Sequence, residues 1–469
     1  MTVRDTPLQR RDFLRGTLAA AVLIPLGGAL ASCAGSGGGS KASTGDKGST
    51  TNPFGMAATG TVDAYIFNGG YGIDYAKFAA SVLHDHHSDT SVKVTGSTTI
   101  AQTLQPRFVG GTPPDVIDNS GVGNISFSTV LGQLEDLSDV IDAKNYEGKV
   151  IKDTLYSGVL KPGTFNGKLA AINYVLTVFA LWHSAALFEE NGWSVPKTWD
   201  GLLDLGAQAK AKGKYLFGWG KEAANYYLTL VMGSAIKEGG DDVRLALDNL
   251  KPGCWSLAPV QDVLKGLKKI IDAGYVKPGG AGTQFTAAQA QWSQDEQFVL
   301  YPSGGWIENE MKKATKAGFR MTGAPEPVVS DHPAMPYTAL HSTSTEAYMV
   351  PSQGKNAAGG KEFMRAMLSK DAAANFAKTI LSSTVVKGTV PEDGFGSTAL
   401  VSQVKLLDGA GSDVFTWGFV DTYGLNTDLL VQMNTFLQGG SDVATLTAGL
   451  QAITDKTRKD PSVKKITVT

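Results

Sequence analysis

Three groups of residues in this chain have types and spacings that chemistry could use. In His84-Asp85-His86-His87, His84 and His87 stand at helical i, i+3, a spacing that suits a divalent ion. The same run also reads as the polar end of a helix entering Ser88-Asp89, and on that reading no metal site is expected. Glu135-Asp136, Asp241-Asp242 and Glu308/Glu310 supply carboxylates. Hydrolysis of a glycoside needs two of these about 5–10 Å apart, and sequence places no two across a cleft. No Ser-His-Asp pattern, G-x-S-x-G elbow or phosphate-binding glycine loop accompanies them. No catalytic residue and no cofactor are expected. The third group is aromatic: eight tryptophans, several beside glycine. Ring faces give flat apolar contact at low entropic cost, while Asn, Asp, Gln and Glu give fixed planar hydrogen bonds. An aromatic-lined site without paired acids binds without cutting.

The elements that must position these groups follow a strand–helix rhythm. Val62–Phe67 is β-prone and breaks at Asn68-Gly69-Gly70-Tyr71-Gly72. A helical stretch Tyr75–Leu83 follows, then β-prone Ser91–Val94, helical Thr99–Phe108, and the buried-type strand Asp115–Asp118 ending at Asn119-Ser120-Gly121. This order implies βαβ units and a largely parallel sheet. Ligands collect beyond the carboxyl ends of such strands, which directs attention to Asn68, Tyr71 and Asn119. Later helices are expected at Trp199–Lys212, capped by Thr198, at Ala258–Ala273, at Lys361–Ile380 and at Asp442–Thr457. The fold class is α/β.

Composition narrows the function. The formal net charge of −2 gives no sign of a nucleic-acid surface. Of two cysteines, Cys33 and Cys254, neither has a plausible disulfide partner once Cys33 is otherwise used. The apolar stretch Leu18–Leu30 is about half the length of a spanning helix and follows Arg10-Arg11, so it reads as the core of an export signal, with the arginine pair fitting the twin-arginine route. Leu30-Ala31-Ser32-Cys33 resembles a lipobox, which implies lipidation of Cys33 and residues 1–33 as signal peptide. Residues 34–60, rich in Gly, Ser and Thr, read as a flexible tether. The roughly 400 residues left exceed what one core serves, so two lobes are expected.

At the level of motifs the chain resembles the extracellular solute-binding proteins of carbohydrate ABC transporters. The pieces are Phe67-Asn68-Gly69-Gly70, Thr112–Ile117, Leu134-Glu135-Asp136-Leu137, Asn166-Gly167-Lys168, Ala185–Gly192, Pro196–Asp200, Gly304-Gly305-Trp306 and Asn434–Gly439, all in the family's order. The resemblance implies a two-lobe fold of the periplasmic-binding-protein type (type II) with a hinge and a ligand cleft. It places residues 61–177 and 338–385 in an N-lobe and 178–337 and 386–469 in a C-lobe. Crossings are expected near Val175–Leu181, Tyr337–Leu340 and Ser382–Val386. Within the family, the chain is most similar to the actinobacterial subgroup that binds N-acetylglucosamine and chitobiose.

That resemblance gives the aromatic residues a partner. A pyranose presents C–H faces to a ring and hydroxyls to planar polar groups. Trp306 stands where the family stacks a sugar. Trp219, Trp292, Asn225, Tyr227 and Tyr423 complete the expected site with Asn68, Tyr71 and Asn119; Tyr226 is a further aromatic in a matching segment, Trp417 another between Thr416 and Gly418, and Glu346 and Tyr348 suit hinge packing equally well. The implied role is capture of a mono- or oligosaccharide by a monomer, lipid-anchored at the outer face of the membrane, for permease subunits of an importer. A glycoside hydrolase, a receptor for another oligosaccharide and a peptide receptor remain the alternatives.

Overall fold

The computed structural model describes residues 48–121 and 123–468. Cys33, Arg10, Arg11, the signal segment and the first part of the tether lie outside the described residues. Alternation of apolar residues makes β1 (Gly60–Phe67), whose Val62, Ala64 and Ile66 are buried on one face. The helix Asp74–His86 buries Tyr75, Ala76, Ala79, Val82 and Leu83 at helical spacing and returns the chain to β2 (Thr90–Ser97). A second helix, Ile100–Val109, leads to β3 (Val116–Asp118). Both β2 and β3 pair with β1 in parallel.

Beyond these three the sheet is not parallel. A hairpin, β4 (Thr164–Phe165) and β5 (Lys168–Leu169), turns at Asn166-Gly167 and precedes the long β6 (Ile172–Ser184). β7 (Tyr301–Gly304) and β8 (Met321–Ala324) pair antiparallel with the far half of β6. β9 (Leu340–Met349) runs antiparallel to its near half, from Ile172↔Tyr348 to Val178↔Ser342, and also pairs antiparallel with β3. The short β10 (Ser383–Thr384) closes on Val175 and Leu176, and β11 (Val414–Phe415) pairs with the start of β9. The largely parallel sheet expected from the first hundred residues of the body is therefore mixed. Its remaining members are strands returning from distant parts of the chain, which no local rhythm announces.

β6 and β9 carry the core from one end of the molecule to the other. At one end, Val62, Ile66, Tyr75, Leu83, Phe363 and Phe376 pack under the β1 sheet. At the other, Trp199, Leu205, Phe217, Trp255, Val263 and Leu267 form a helical core. The expected cap at Thr198 is present, its Oγ1 accepting from Gly201 N at 3.1 Å, and Asp442 Oδ1 also caps its helix by accepting from Thr445 N at 2.7 Å. The single helix expected over Lys361–Ile380 is two, Ala357–Met367 and Lys370–Ile380, because Ser369 leaves the helical path and caps the second through Ala372 N at 3.2 Å.

Both ends of the described chain are tied down. Phe54 and Met56 are buried inside the stretch read as tether, and Arg365 donates to the carbonyl of Thr50 at 3.1 Å. Two apolar side chains give this part of a Gly/Ser-rich segment something to bury. At the other end Ile466, 5% exposed, joins the cluster of Ile100, Leu104, Phe108, Ile117 and Phe127. The backbone of Ile466 and Val468 is meanwhile held by Tyr423 and Asn249.

Candidate functional site

Where β6 and β9 run side by side, aromatic rings from six separate segments meet. Along the second half of β6 only Phe179 keeps partial exposure. Its ring stacks on His341 of β9 with centroids 4.3 Å apart, and His341 stacks in turn on Trp417 at 3.6 Å. On its other side Phe179 meets Trp306 edge-on at 5.6 Å, and Trp306 meets Tyr226 at 5.8 Å. Tyr226 leads on to the buried Tyr301 and Trp292. Phe179, Tyr226, Trp306 and Trp417 are half-buried, while His341, Tyr301 and Trp292 are buried behind them. The result is an arc of four accessible rings on a rigid aromatic support. Burial drives the His341 pKa well below its ordinary value, so the ring stacks as a neutral imidazole.

Trp306 owes its placement to glycine. A side chain on Gly304 would collide with the Trp306 ring, the nearest atom lying at 2.0 Å, and one on Gly305 would collide with Gln403. Gly304-Gly305 thus lets the indole fold back over the end of β7.

The polar groups near the arc come from the carboxyl ends of β1 and β3 and from the helix after Trp306. Tyr71 packs edge-on against Phe376 at 5.5 Å, and its buried hydroxyl makes no hydrogen bond among the described residues. Burial, then the charge of Glu346, raises its pKa, and Thr177 and Ser382 stand beside it. Asp118, ending β3, accepts from Ser120 Oγ and from Tyr75 Oη at 3.4 Å, and Tyr75 Oη meets Tyr348 Oη at 2.7 Å. Asp118 and Glu346 are both buried and adjacent, so burial pushes Asp118 up to about 6, and burial plus the charge of Asp118 pushes Glu346 well above the carboxylate range. Glu346 also sits mid-strand at φ +55°, a left-handed conformation that costs on the order of 1–3 kcal/mol.

Of the residues expected at the site, the structure gathers Trp306 and Tyr71 near β6 and β9. Asn68 is exposed where β1 ends. Asn119 is buried, its amide donating to the Ile125 carbonyl at 2.8 Å and accepting from Ile125 N at 2.7 Å, so both ends brace its own loop. Trp219 is buried in the helical core with Nε1 on Asn434 Oδ1 at 3.2 Å. Tyr227, also buried, donates to the Gly218 carbonyl at 2.7 Å. Trp292 belongs to the support rather than the accessible arc. Asn225 donates to the Asn426 carbonyl at 2.9 Å, and the Tyr423 hydroxyl is taken by Ile466. Phe179 and His341 were invisible as site residues, since a Phe in an apolar run and a lone His read as core.

In the histidine run His86 stacks on Tyr146 at 3.8 Å and His87 meets Glu362 at 3.1 Å; no cluster of three potential metal ligands occurs among the described residues. No helix among them is long and apolar enough to cross a membrane.

Comparison with known proteins agrees with this geometry. Residues 69–374 match the family model described as bacterial extracellular solute-binding protein. The chain is 56% identical over 470 aligned positions, covering all of both chains, to the diacetylchitobiose binding protein NgcE of Streptomyces coelicolor. Among solved structures, a chitin oligosaccharide binding protein superposes with a TM-score of 0.68 at 16% identity, covering 85% of this chain and 99% of that one. RafE in complex with raffinose superposes with a TM-score of 0.66 at 18% identity, covering 86% and 100%. These structures share the two-lobe α/β fold.

Proposed function

Since the chain belongs to the bacterial extracellular solute-binding proteins, we propose that it captures chitobiose, the β-1,4 disaccharide of N-acetylglucosamine, and delivers it to the permease of an ABC importer. It is a binding protein and not an enzyme, as its family and its 56% identical relative are. The observation that carries the reading is the arc Phe179, Trp306, Tyr226 and Trp417. Four accessible rings held by buried ones match a ligand with apolar ring faces, and the likeness to NgcE supports the choice of sugar.

The same reading divides the body into an N-lobe of residues 61–177 and 338–385 and a C-lobe of 178–337 and 386–469. β6 and β9 then form the hinge crossings, and the sugar closes the lobes by touching both. Cys33 is the lipid-bearing residue in this account, and Arg10-Arg11 the export signal; the protein acts as a monomer on the outer face of the membrane.

Titration calorimetry and thermal unfolding with chitobiose, N-acetylglucosamine, maltose and a tripeptide test the proposal. A ligand at 100 times its dissociation constant adds about 2.7 kcal/mol to the native state. Chitobiose is expected to raise the unfolding temperature and the other probes to do so less or not at all. Stabilisation by maltose or peptide alone would replace the sugar assignment.

A further inference from the structure

Glu310 is an acid that this fold leaves without a cation. It lies in the helix Ile307–Met311, directly after Trp306. Gln289, itself buried, donates Nε2 to Glu310 Oε2 at 2.8 Å, and Oε1 has no partner among the described residues. No lysine, arginine or histidine pairs with it among those residues, and burial raises its carboxyl above the usual range. Its charge is felt by Tyr71, Tyr226 and Tyr301, three phenols from different segments. The hydroxyls of Tyr71 and Tyr301 are fully buried and unpartnered.

A carboxylate can accept from the hydroxyls of a neutral sugar, but an unpaired one also suits a cationic ligand. When the lobes close on a neutral sugar, the carboxylate loses water and gains at most neutral donors, and a desolvated charge is costly unless paired. A ligand ammonium would supply the missing charge. Its N–H donors could meet the free oxygen, Glu310 Oε1. The faces of Trp306 and Tyr226 would favour the same cation.

We propose that the cleft also accepts amino sugars, with the ammonium of a glucosamine unit placed on Glu310. The inference rests on the sugar-binding reading above and extends its ligand class to N-deacetylated or partly deacetylated β-1,4 oligosaccharides. Glu310 is then a specificity-determining residue: its charge favours the free amine, while the acetamido group of chitobiose uses the same place through its N–H.

Calorimetry of the full soluble chain compares chitobiose with its doubly deacetylated counterpart, at a pH that keeps the amine protonated. Glu310→Gln keeps the shape and the bond from Gln289 while removing the charge. The wild type is expected to bind both sugars. Glu310→Gln should lose about tenfold or more toward the deacetylated disaccharide and less than about threefold toward chitobiose, the scale of one charge-assisted hydrogen bond. Added salt should weaken only the charged ligand in the wild type, a readout that stands even where the variant folds poorly. Binding of chitobiose with none of the deacetylated sugar overturns this inference and leaves the sugar-binding reading intact. Equal losses of both sugars in Glu310→Gln overturn it as well. Failure of the wild type to bind either sugar removes the sugar-binding reading, and this inference with it.

Discussion

Asn309 Nδ2 donates to the Gly70 carbonyl at 2.7 Å, joining the turn after β1 to the helix after Trp306. A second bond of the same kind runs from Ser126 Oγ to the Thr422 carbonyl at 2.8 Å. In the proposed division both connect one lobe to the other. Each such bond contributes about 0.5–1.5 kcal/mol. Asn309→Ala should therefore shift the ligand-free protein toward the open form and weaken chitobiose binding about two- to tenfold. Small-angle scattering checks it: the variant should show a larger radius of gyration without sugar and the wild-type value at saturation. An identical radius in both ligand-free proteins would show that the bond does not hold the lobes.

Trp306 is the ring of the arc most dependent on its glycine neighbours and the most central, touching both Phe179 and Tyr226. Trp306→Ala should cost on the order of 2–4 kcal/mol of binding, roughly 30- to 1,000-fold in affinity. Because the ring is only half-buried, the ligand-free unfolding temperature should move far less than for a core tryptophan such as Trp182. Unchanged affinity in calorimetry would move the sugar away from the arc.

What the sequence made legible was local. β1 showed itself as a β-prone run broken at Asn68-Gly69, Thr198 showed itself by capping chemistry, and Trp306 drew attention through the glycines before it. The arc as a whole was not legible, because Phe179, His341 and Trp417 come together only through the pairing of β6 with β9 and of β9 with β11. Trp219 and Tyr227 carry the same aromatic signal as Trp306, yet pack into the helical core. A tryptophan between glycines has room for either fate, and the neighbours that decide it lie elsewhere in the chain. Glu346 illustrates the same limit: its left-handed backbone is imposed by β9's surroundings and leaves no local mark.

Ile466 supplies a third test. Its side chain packs with Ile100, Phe108 and Phe127, while its backbone is held by Tyr423. In the proposed lobes this strap grips both sides. Removing residues 462–469 exposes the apolar cluster and deletes those bonds, with a loss of about 1.5–3 kcal/mol expected for the isoleucine alone. A lower unfolding temperature should be joined by weaker sugar binding and a larger ligand-free radius. Lower stability with unchanged affinity and radius would make the strap a packing element of one lobe only.

The buried Asp118–Glu346 pair makes stability depend on pH, and the sign follows from the direction of the shifts. Both carboxyls have raised pKa values in the folded protein, Asp118 to about 6 and Glu346 well above its ordinary value, chiefly through burial. In the unfolded chain both ionise near their ordinary values, about 3.9 and 4.3. Above those values the native state holds more protons than the unfolded state, so unfolding free energy falls as pH rises. For Asp118 the fall runs from about pH 4 to about pH 6 and then levels; for Glu346 it continues higher. Glu346→Gln removes one of the two titrating groups and the repulsion between them, while keeping an amide able to donate to Asp118. The variant should lose most of the slope between pH 5 and pH 8 and gain on the order of 1 kcal/mol at the upper end. Denaturant unfolding across that range measures both. A variant whose stability declines with pH as steeply as the wild type would show that the pair is not the source of the dependence.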